Sequence, residues 1–265
     1  MATVSLDQLE RTAQAALIRH GAAPFAGAEM ARALCRAQAT GDHVGGLAQL
    51  PVLCDELDAG RVLGDVTPVV STLRPAVVHV DAQMGFAPPA FAYGLAPALD
   101  AARRHGVATL AVGQVFGGIT LGYFTEQIAL AGFIAIGATH WPDGSRAAAL
   151  SVPDGRGGLA MHVDPAIMGQ GTAQDNDMGR QLCLMADLLA ANTNGELSPP
   201  DTSPQARGQY YIIIDPTGTA GFASRLAALS STESLPQSLP ATQDSLELPD
   251  TLWAQVQDLA AKALA

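Results

Sequence analysis

Apolar residues in the N-terminal part of the chain return every three to four positions, the period of a helix that buries one face. From Ser5 to His20 the apolar set is Leu6, Leu9, Ala13, Ala16 and Leu17, with Ser5 and Gln8 at capping-box spacing ahead of it and Gly21 as its stop. The same period predicts a second helix over Ala26 to Ala39, carrying Met30, Leu34 and Cys35, and a third over Leu50 to Ala59, carrying Leu53, Cys54 and Leu57. Residues 1–62 thus read as a helical cap.

Beyond residue 62 the pattern changes to short β-rich runs alternating with helical stretches, which predicts an α/β body over 63–265. Strands are expected at Ala76–Val80, Val107–Val112 and Phe133–Gly137, and helices at Phe91–Arg104 and near Tyr123–Ala131. Ala147–Val152 and Gly158–Val163 flank the turn-forming run Pro153-Asp-Gly-Arg-Gly157 and predict a hairpin. A helix is expected over Gly179–Ala191 and a buried strand over Tyr210–Ile214. The intervening Asn192–Gly208, rich in Asn, Ser and Pro, reads as a surface loop or lid. A second polar stretch, Ser230–Asp250, leads into a closing helix bearing Leu252, Val256 and Leu259.

Charge narrows the function classes. Twenty-five acidic against fourteen basic residues give a formal charge of -11, a field that repels phosphate backbones and anionic lipid, so neither nucleic acid nor a membrane surface is an expected partner. The N-terminus lacks the basic and apolar regions of a secretory signal, and no apolar run reaches the ~20 residues of a membrane span. Cys35, Cys54 and Cys183 are far apart and sit in apolar helical patterns, as buried thiols of a cytoplasmic protein would, so no disulfide is expected. The only lysine is Lys262, in the last turn of the closing helix. A phosphate-loop NTPase, a Schiff-base enzyme and a protein kinase each require a lysine elsewhere, and are excluded.

Three groups of residues could carry chemistry. Gly113-Gln-Val-Phe-Gly117-Gly118-Ile-Thr-Leu-Gly122 follows a predicted strand and precedes a helix, where backbone N–H groups can approach a phosphate; close helix-on-sheet packing explains the glycines equally well. In Thr40-Gly-Asp42-His43-Val-Gly45-Gly46 a carboxylate adjoins an imidazole between two helices. His43 there is an acid/base candidate, or a solvated loop residue, and Asp42 a cap for the next element. His79-x-Asp81 and His162-x-Asp164 each put an imidazole and a carboxylate on one strand face, and a metal could use four such groups. The plainer reading has the imidazoles packed and the carboxylates ending strands, as at Asp215, and no metal is expected.

Several segments, in order along the chain, resemble the type-2 malate/L-lactate dehydrogenase family, which includes ureidoglycolate and sulfolactate dehydrogenases and cyclic-imine reductases. They are Leu50-Pro-Val-Leu-Cys-Asp-Glu-Leu-Asp-Ala-Gly-Arg-Val62, Val80-Asp-Ala-Gln-Met-Gly85, His105-Gly-Val-Ala-Thr-Leu-Ala-Val112, Phe116-Gly117, Gly122-Tyr-Phe-Thr-Glu-Gln127, Ala131-Gly-Phe-Ile-Ala-Ile-Gly137, Asp187-Leu-Leu-Ala190 and the strand leading to Asp215-Pro216. The resemblance implies a non-Rossmann α/β fold, a helical cap followed by a mixed sheet with flanking helices. It also implies hydride transfer between NAD or NADP and a small 2-oxo acid, 2-hydroxy acid or cyclic imino acid, in a homodimer.

The departures from the family are equally specific. Its Ser-His-Gly catalytic loop falls on Val44-Gly45-Gly46, with Gln49 where a substrate-binding Arg stands, so His43 and Asp42 become the catalytic candidates. The imidazole of its Asn-His-Phe-Gly motif falls on Val115. Thr139-His140-Trp-Pro142 stands where a cofactor loop would follow the third strand, and the cofactor region over 105–178 is reduced. By resemblance the cofactor contacts are Gly113, Gln114, Gly117, Gly118, Thr120 and His140, and the substrate carboxylate meets Gln49 and Arg180. Two readings follow: a shortened oxidoreductase with relocated catalytic groups, or an inactive paralogue that keeps the scaffold as a binding or regulatory subunit.

Overall fold

The computed structural model describes residues 1–116, 119–140, 146–164, 207–218, 221–232 and 244–261. Strand β1 (Ala2–Ser5) leads into helix α1 (Leu6–Arg19), where the Ser5 hydroxyl accepts from the Gln8 amide at 3.2 Å, the first half of the predicted capping box. Helices α2 (Pro24–Ala39) and α3 (Leu50–Asp58) follow, each with proline in its first turn, where the missing N–H costs nothing.

Among the described residues the body forms a seven-stranded sheet. Its strands are β2 (Val69–Arg74), β3 (Val77–Phe86), β4 (Val107–Phe116), β5 (Ile134–His140), β6 (Arg146–Pro153), β7 (Leu159–Val163) and β8 (Arg207–Ile214), in the spatial order β2-β3-β4-β8-β5-β6-β7. Among the described strands only β3 and β4 run parallel, joined through helix α4 (Ala87–His105); every other neighbouring pair is antiparallel. One βαβ unit in an otherwise antiparallel sheet is not a dinucleotide-binding Rossmann sheet, in agreement with the expected mixed, non-Rossmann class. Helix α5 (Leu121–Leu130) packs on β5 and β6, α6 (Phe222–Thr232) follows β8, and β9 (Ser245–Leu248) precedes α7 (Asp250–Ala261). Strand β9 pairs antiparallel with β1, so the two ends of the chain form a small ribbon beside the cap.

One hydrophobic cluster runs from Val4 to Val256 and joins the cap to the sheet. Helix α2 lies between α1 and the pair α4 and α5. At the centre, Phe91, Phe124 and Tyr211 meet with ring centroids 5.0, 5.2 and 5.9 Å apart, and the fully buried Tyr211 hydroxyl donates to Gln209 at 2.8 Å. The Cys35 and Cys54 thiols are buried in this cluster, and burial pushes that of Cys35 far above its ordinary range.

The hairpin expected at 147–163 is present as β6 and β7, with the Asp154 carboxylate accepting from the amides of Arg156 and Gly158 at 2.6 and 2.9 Å. These backbone donors hold the Asp154 carboxyl below the usual carboxylate range. Three expectations are corrected. The strands expected to end at Val80 and Val112 continue to Phe86 and Phe116, so Gly113 and Gln114 lie inside a strand rather than in a turn. The polar stretch Ser230–Asp250 contains the last turn of α6 and strand β9. The N-terminal cap also carries a strand, β1. The helix expected at 179–191 and most of the loop expected at 192–208 lie outside the described residues.

Candidate active site

The loop after α2 is held by two side chains. Asp42 Oδ1 accepts from the Gly45 amide at 2.8 Å, so its carboxylate closes the loop on itself and is not directed at His43. A Cβ on Gly45 would overlap Asp42 Oδ2, and one on Gly46 would lie 2.7 Å from Gln38 Oε1. In this conformation a side chain at position 45 would displace the Asp42 carboxylate that closes the loop. Gln38, 7% exposed on the last turn of α2, accepts from the Leu47 amide through Oε1 at 3.3 Å and stands 2.7 Å from His43 Nδ1 through Nε2. Gln49 donates to the Val44 carbonyl at 2.8 Å and so also braces the loop. The exposed His43 ring borders a cleft of about 560 Å³ between this loop and the terminal ribbon, shared with Gln38, Gly41, Thr3, Ser245 and Glu247.

The last turn of α2 also borders a second, much smaller cavity with Thr120, Gly122, Tyr123, Glu126 and His162. Here the amide of Gly122, in the first turn of α5, donates to Asp164 Oδ2 at 2.6 Å, and Asp164 is 1% exposed. The N-terminus of α5 is therefore closed by the protein's own carboxylate. His162 Nδ1 meets Ser151 Oγ at 2.8 Å, and Ser151 donates to Thr125 at 2.9 Å. Ser151 is fully buried and His162 is 2% exposed, so the pair sits within the packed interior of the described residues. Burial depresses the His162 pKa; the Glu126 carboxylate opposes this in part, and Arg36 adds a smaller push downward. The Arg36 guanidinium grips Glu126 through two bonds, of 3.0 and 2.6 Å, and ties α2 to α5.

A different surface lies at the carboxyl ends of β3 and β4. Asp81 pairs with Gly113 and Gly85 with Val115, so Ala82, Gln83 and Met84 bulge opposite Gln114. Gln83, Met84 and Gln114 have φ of +53°, +63° and +54°, left-handed conformations that non-glycine residues seldom adopt and that gather at functional sites. Asp81 Oδ1 braces the bulge by accepting from the Gln83 amide at 2.8 Å, which leaves the side chains of Gln83 and Gln114 exposed on the crest. The carboxyl end of parallel strands is where open α/β sheets take ligands.

The sequence candidates are thus distributed over three places: His43, Asp42 and Gln49 in the α2 loop, Thr120 at the α5 terminus, and Gly113 and Gln114 on the crest. Gly117, Gly118 and Arg180 and the side chain of His140 lie outside the described residues. Val115, at the family's imidazole position, is fully buried. The two His-x-Asp pairs sit on β3 and β7, with four strands between them, and cannot share a metal ion. Among the described residues no three His, Cys, Asp or Glu side chains gather as a metal site. Asp215 accepts from the amide two residues on, the turn-capping role expected of it, whereas Asp81 does so from inside β3 rather than at its end and Asp164 caps the distant α5. Gln38 and the bulge at Gln83 and Met84 were not visible as candidates, since a glutamine in a helix and a β-bulge leave no pattern of spacing.

A nicotinamide dinucleotide fits these places unequally. The α5 terminus does not accept its phosphates, because the buried Asp164 carboxylate already takes the Gly122 amide and would repel them. The crest suits it better, with two exposed amide side chains able to donate and accept and with its carboxylate engaged by backbone.

Comparison with known proteins agrees with this fold. The family model of malate/L-lactate dehydrogenase matches residues 4–151, more than half of the chain. The Δ1-pyrroline-2-carboxylate/Δ1-piperideine-2-carboxylate reductase of Pseudomonas syringae pv. tomato is 37% identical over 110 residues, 42% of this chain and 32% of that protein. The reductase of the same name from Pseudomonas putida is 27% identical over 210 residues, 78% of this chain and 60% of that protein. The (2R)-3-sulfolactate dehydrogenase (NADP(+)) of Chromohalobacter salexigens is 32% identical over 139 residues, 52% of this chain and 41% of that protein. The chain thus spans less than two thirds of these relatives. In three dimensions it is similar to the Δ1-piperideine-2-carboxylate reductase of Pseudomonas syringae, with a TM-score of 0.79 at 24% identity over 98% of this chain and 100% of that one. The malate dehydrogenase of Entamoeba histolytica has the same fold, with a TM-score of 0.73 at 14% identity over 98% of this chain and 97% of that one. The chain belongs to the malate/L-lactate dehydrogenase family.

Proposed function

We propose that this protein is an NAD(P)-dependent oxidoreductase that reduces a cyclic imino acid or a small 2-oxo acid. The observation that carries this reading is the match of residues 4–151 to a dehydrogenase family together with relatives named as Δ1-pyrroline-2-carboxylate and Δ1-piperideine-2-carboxylate reductases. The bound cofactor supplies the hydride. The chain's own residues supply the rest: Gly113 and Gln114 on the crest approach the cofactor, and the family resemblance adds Gly117, Gly118, Thr120 and His140 to its contacts. His43 holds the proton that the imine nitrogen or the carbonyl oxygen takes up. Asp42 keeps the His43 loop closed. Gln49, whose amide nitrogen retains one N–H beyond its bond to Val44, receives the substrate carboxylate together with Arg180. The same reading includes a homodimer in the cytoplasm; no helix of the described residues is long and apolar enough to cross a membrane.

The reading is tested by following NADH and NADPH oxidation with Δ1-pyrroline-2-carboxylate, Δ1-piperideine-2-carboxylate and a series of 2-oxo acids, for the native protein and His43→Ala. Turnover that falls ~100-fold or more in the variant, with cofactor affinity unchanged, supports the role of His43. Equal turnover removes His43 from the mechanism. A second reading, an inactive paralogue that binds without turnover, draws on the Asp164 carboxylate at the α5 terminus and on the glycine at position 45. It predicts no oxidation with any of these substrates.

A further inference from the structure

We infer that Gln38 is a positioning residue that fixes the protonation pattern of His43, placing the ring proton on Nε2. The inference deepens the reading of His43 as the proton donor, and rests on that reading only for its catalytic consequence.

The argument runs through three groups whose roles are chemically forced. The Leu47 amide can only donate, so the Gln38 atom it meets at 3.3 Å must be the carbonyl Oε1. That fixes which end of the amide is which, and the nitrogen Nε2, which can only donate, is the atom 2.7 Å from His43 Nδ1. Nδ1 must therefore accept through its lone pair, and a neutral ring carries its one proton on Nε2. Gln38 is well placed to impose this, because it is 7% exposed on the last helical turn and a Cβ at position 46 would lie only 2.7 Å from its Oε1. His43 itself is exposed and borders the cleft of about 560 Å³. A buried amide thus orients a solvent-accessible imidazole and fixes which ring nitrogen carries the proton of its neutral form. Asp42, the adjacent carboxylate, does not perform this task, since its Oδ1 is bonded to the Gly45 amide.

The test reads the ring directly. Long-range proton–nitrogen correlation spectra of the uniformly labelled full chain, with His43 assigned by its loss in His43→Ala, distinguish the two neutral forms. The native protein is expected to show the Nε2–H form. Gln38→Glu keeps an acceptor for the Leu47 amide but offers Nδ1 an acceptor in place of a donor, so the proton is expected to move to Nδ1. Gln38→Leu removes both bonds and should give a mixture of the two forms. Circular dichroism confirms that each variant is folded, and Gln38→Glu carries the test if Gln38→Leu is not. A native ring protonated on Nδ1, or a ring unchanged in Gln38→Glu, overturns the inference. Where turnover is present, the pH profile of kcat in Gln38→Glu should move to higher pH, because a carboxylate beside Nδ1 favours the doubly protonated ring, while KM for the cofactor stays fixed. If the spectra behave as expected and the native protein turns over no substrate, the positioning by Gln38 stands and the oxidoreductase reading fails. If the native protein is active and the spectra are insensitive to residue 38, the converse holds.

Discussion

The amide of Gly122 and the carboxylate of Asp164 meet at 2.6 Å, joining the first turn of α5 to the end of β7 across 42 positions of sequence. The contact turns what reads as a phosphate-binding glycine turn into a closed helix cap. A Cβ on Gly122 would stand 2.5 Å from Asp164 Oδ2 and 2.9 Å from His162 Nε2, so close approach to these side chains accounts for a glycine here.

Asp164→Ala strands the buried Gly122 amide and removes the cap. We expect a loss of about 1–3 kcal/mol, the cost of leaving a buried donor without its acceptor. Urea unfolding followed by tryptophan fluorescence measures it. Asp164→Asn, which keeps an acceptor, should lose much less, and equal losses in the two variants would contradict the capping role.

The Arg36–Glu126 pair bridges α2 and α5 with side chains 19% and 10% exposed. Removing one partner leaves the other charge partly buried, so Arg36→Met should cost about 2–3 kcal/mol, below the range for fully buried pairs because some solvent reaches both groups. The double variant Arg36→Met with Glu126→Leu should recover a large part of that loss. The comparison is a double-mutant cycle in urea, and strictly additive losses would show that the two groups do not act together.

How much of this was legible beforehand depended on how local the determinant is. The cap helices were readable because Leu6, Leu9, Ala13, Ala16 and Leu17 repeat along a single face, and α1 buries Leu9, Ala13, Ala16 and Leu17. Strand ends were less readable: Gly113 breaks the apolar run, yet it stays in β4 because Asp81 on the neighbouring strand pairs with it. The site was least readable, because its bonds join distant positions. Nothing near Gly122 in sequence announces Asp164, and nothing near Val69–Arg74 announces that it pairs with β3. His43 could be named from its loop, whereas its partner Gln38 sits inside a helical pattern that any polar residue would have satisfied.

His162 gives the stability a pH dependence of known sign. Burial holds its pKa below the ordinary 6.5, so the unfolded chain takes up a proton at a pH where the folded protein does not. Its contribution to stability is complete above pH 6.5 and is lost progressively as pH falls from there toward the lower native value. The urea midpoint should therefore decline on acidification through this window, and His162→Asn should flatten that part of the profile. A native midpoint that rises on acidification would contradict the assignment.

The most direct test of the account as a whole is calorimetric titration of the purified protein with NADH and with NADPH. The account predicts saturable binding of one of them with a Kd on the order of micromolar, equivalent to roughly 8 kcal/mol of binding free energy. No heat of binding from either cofactor at millimolar concentration would contradict it and leave the scaffold as that of a paralogue without redox chemistry.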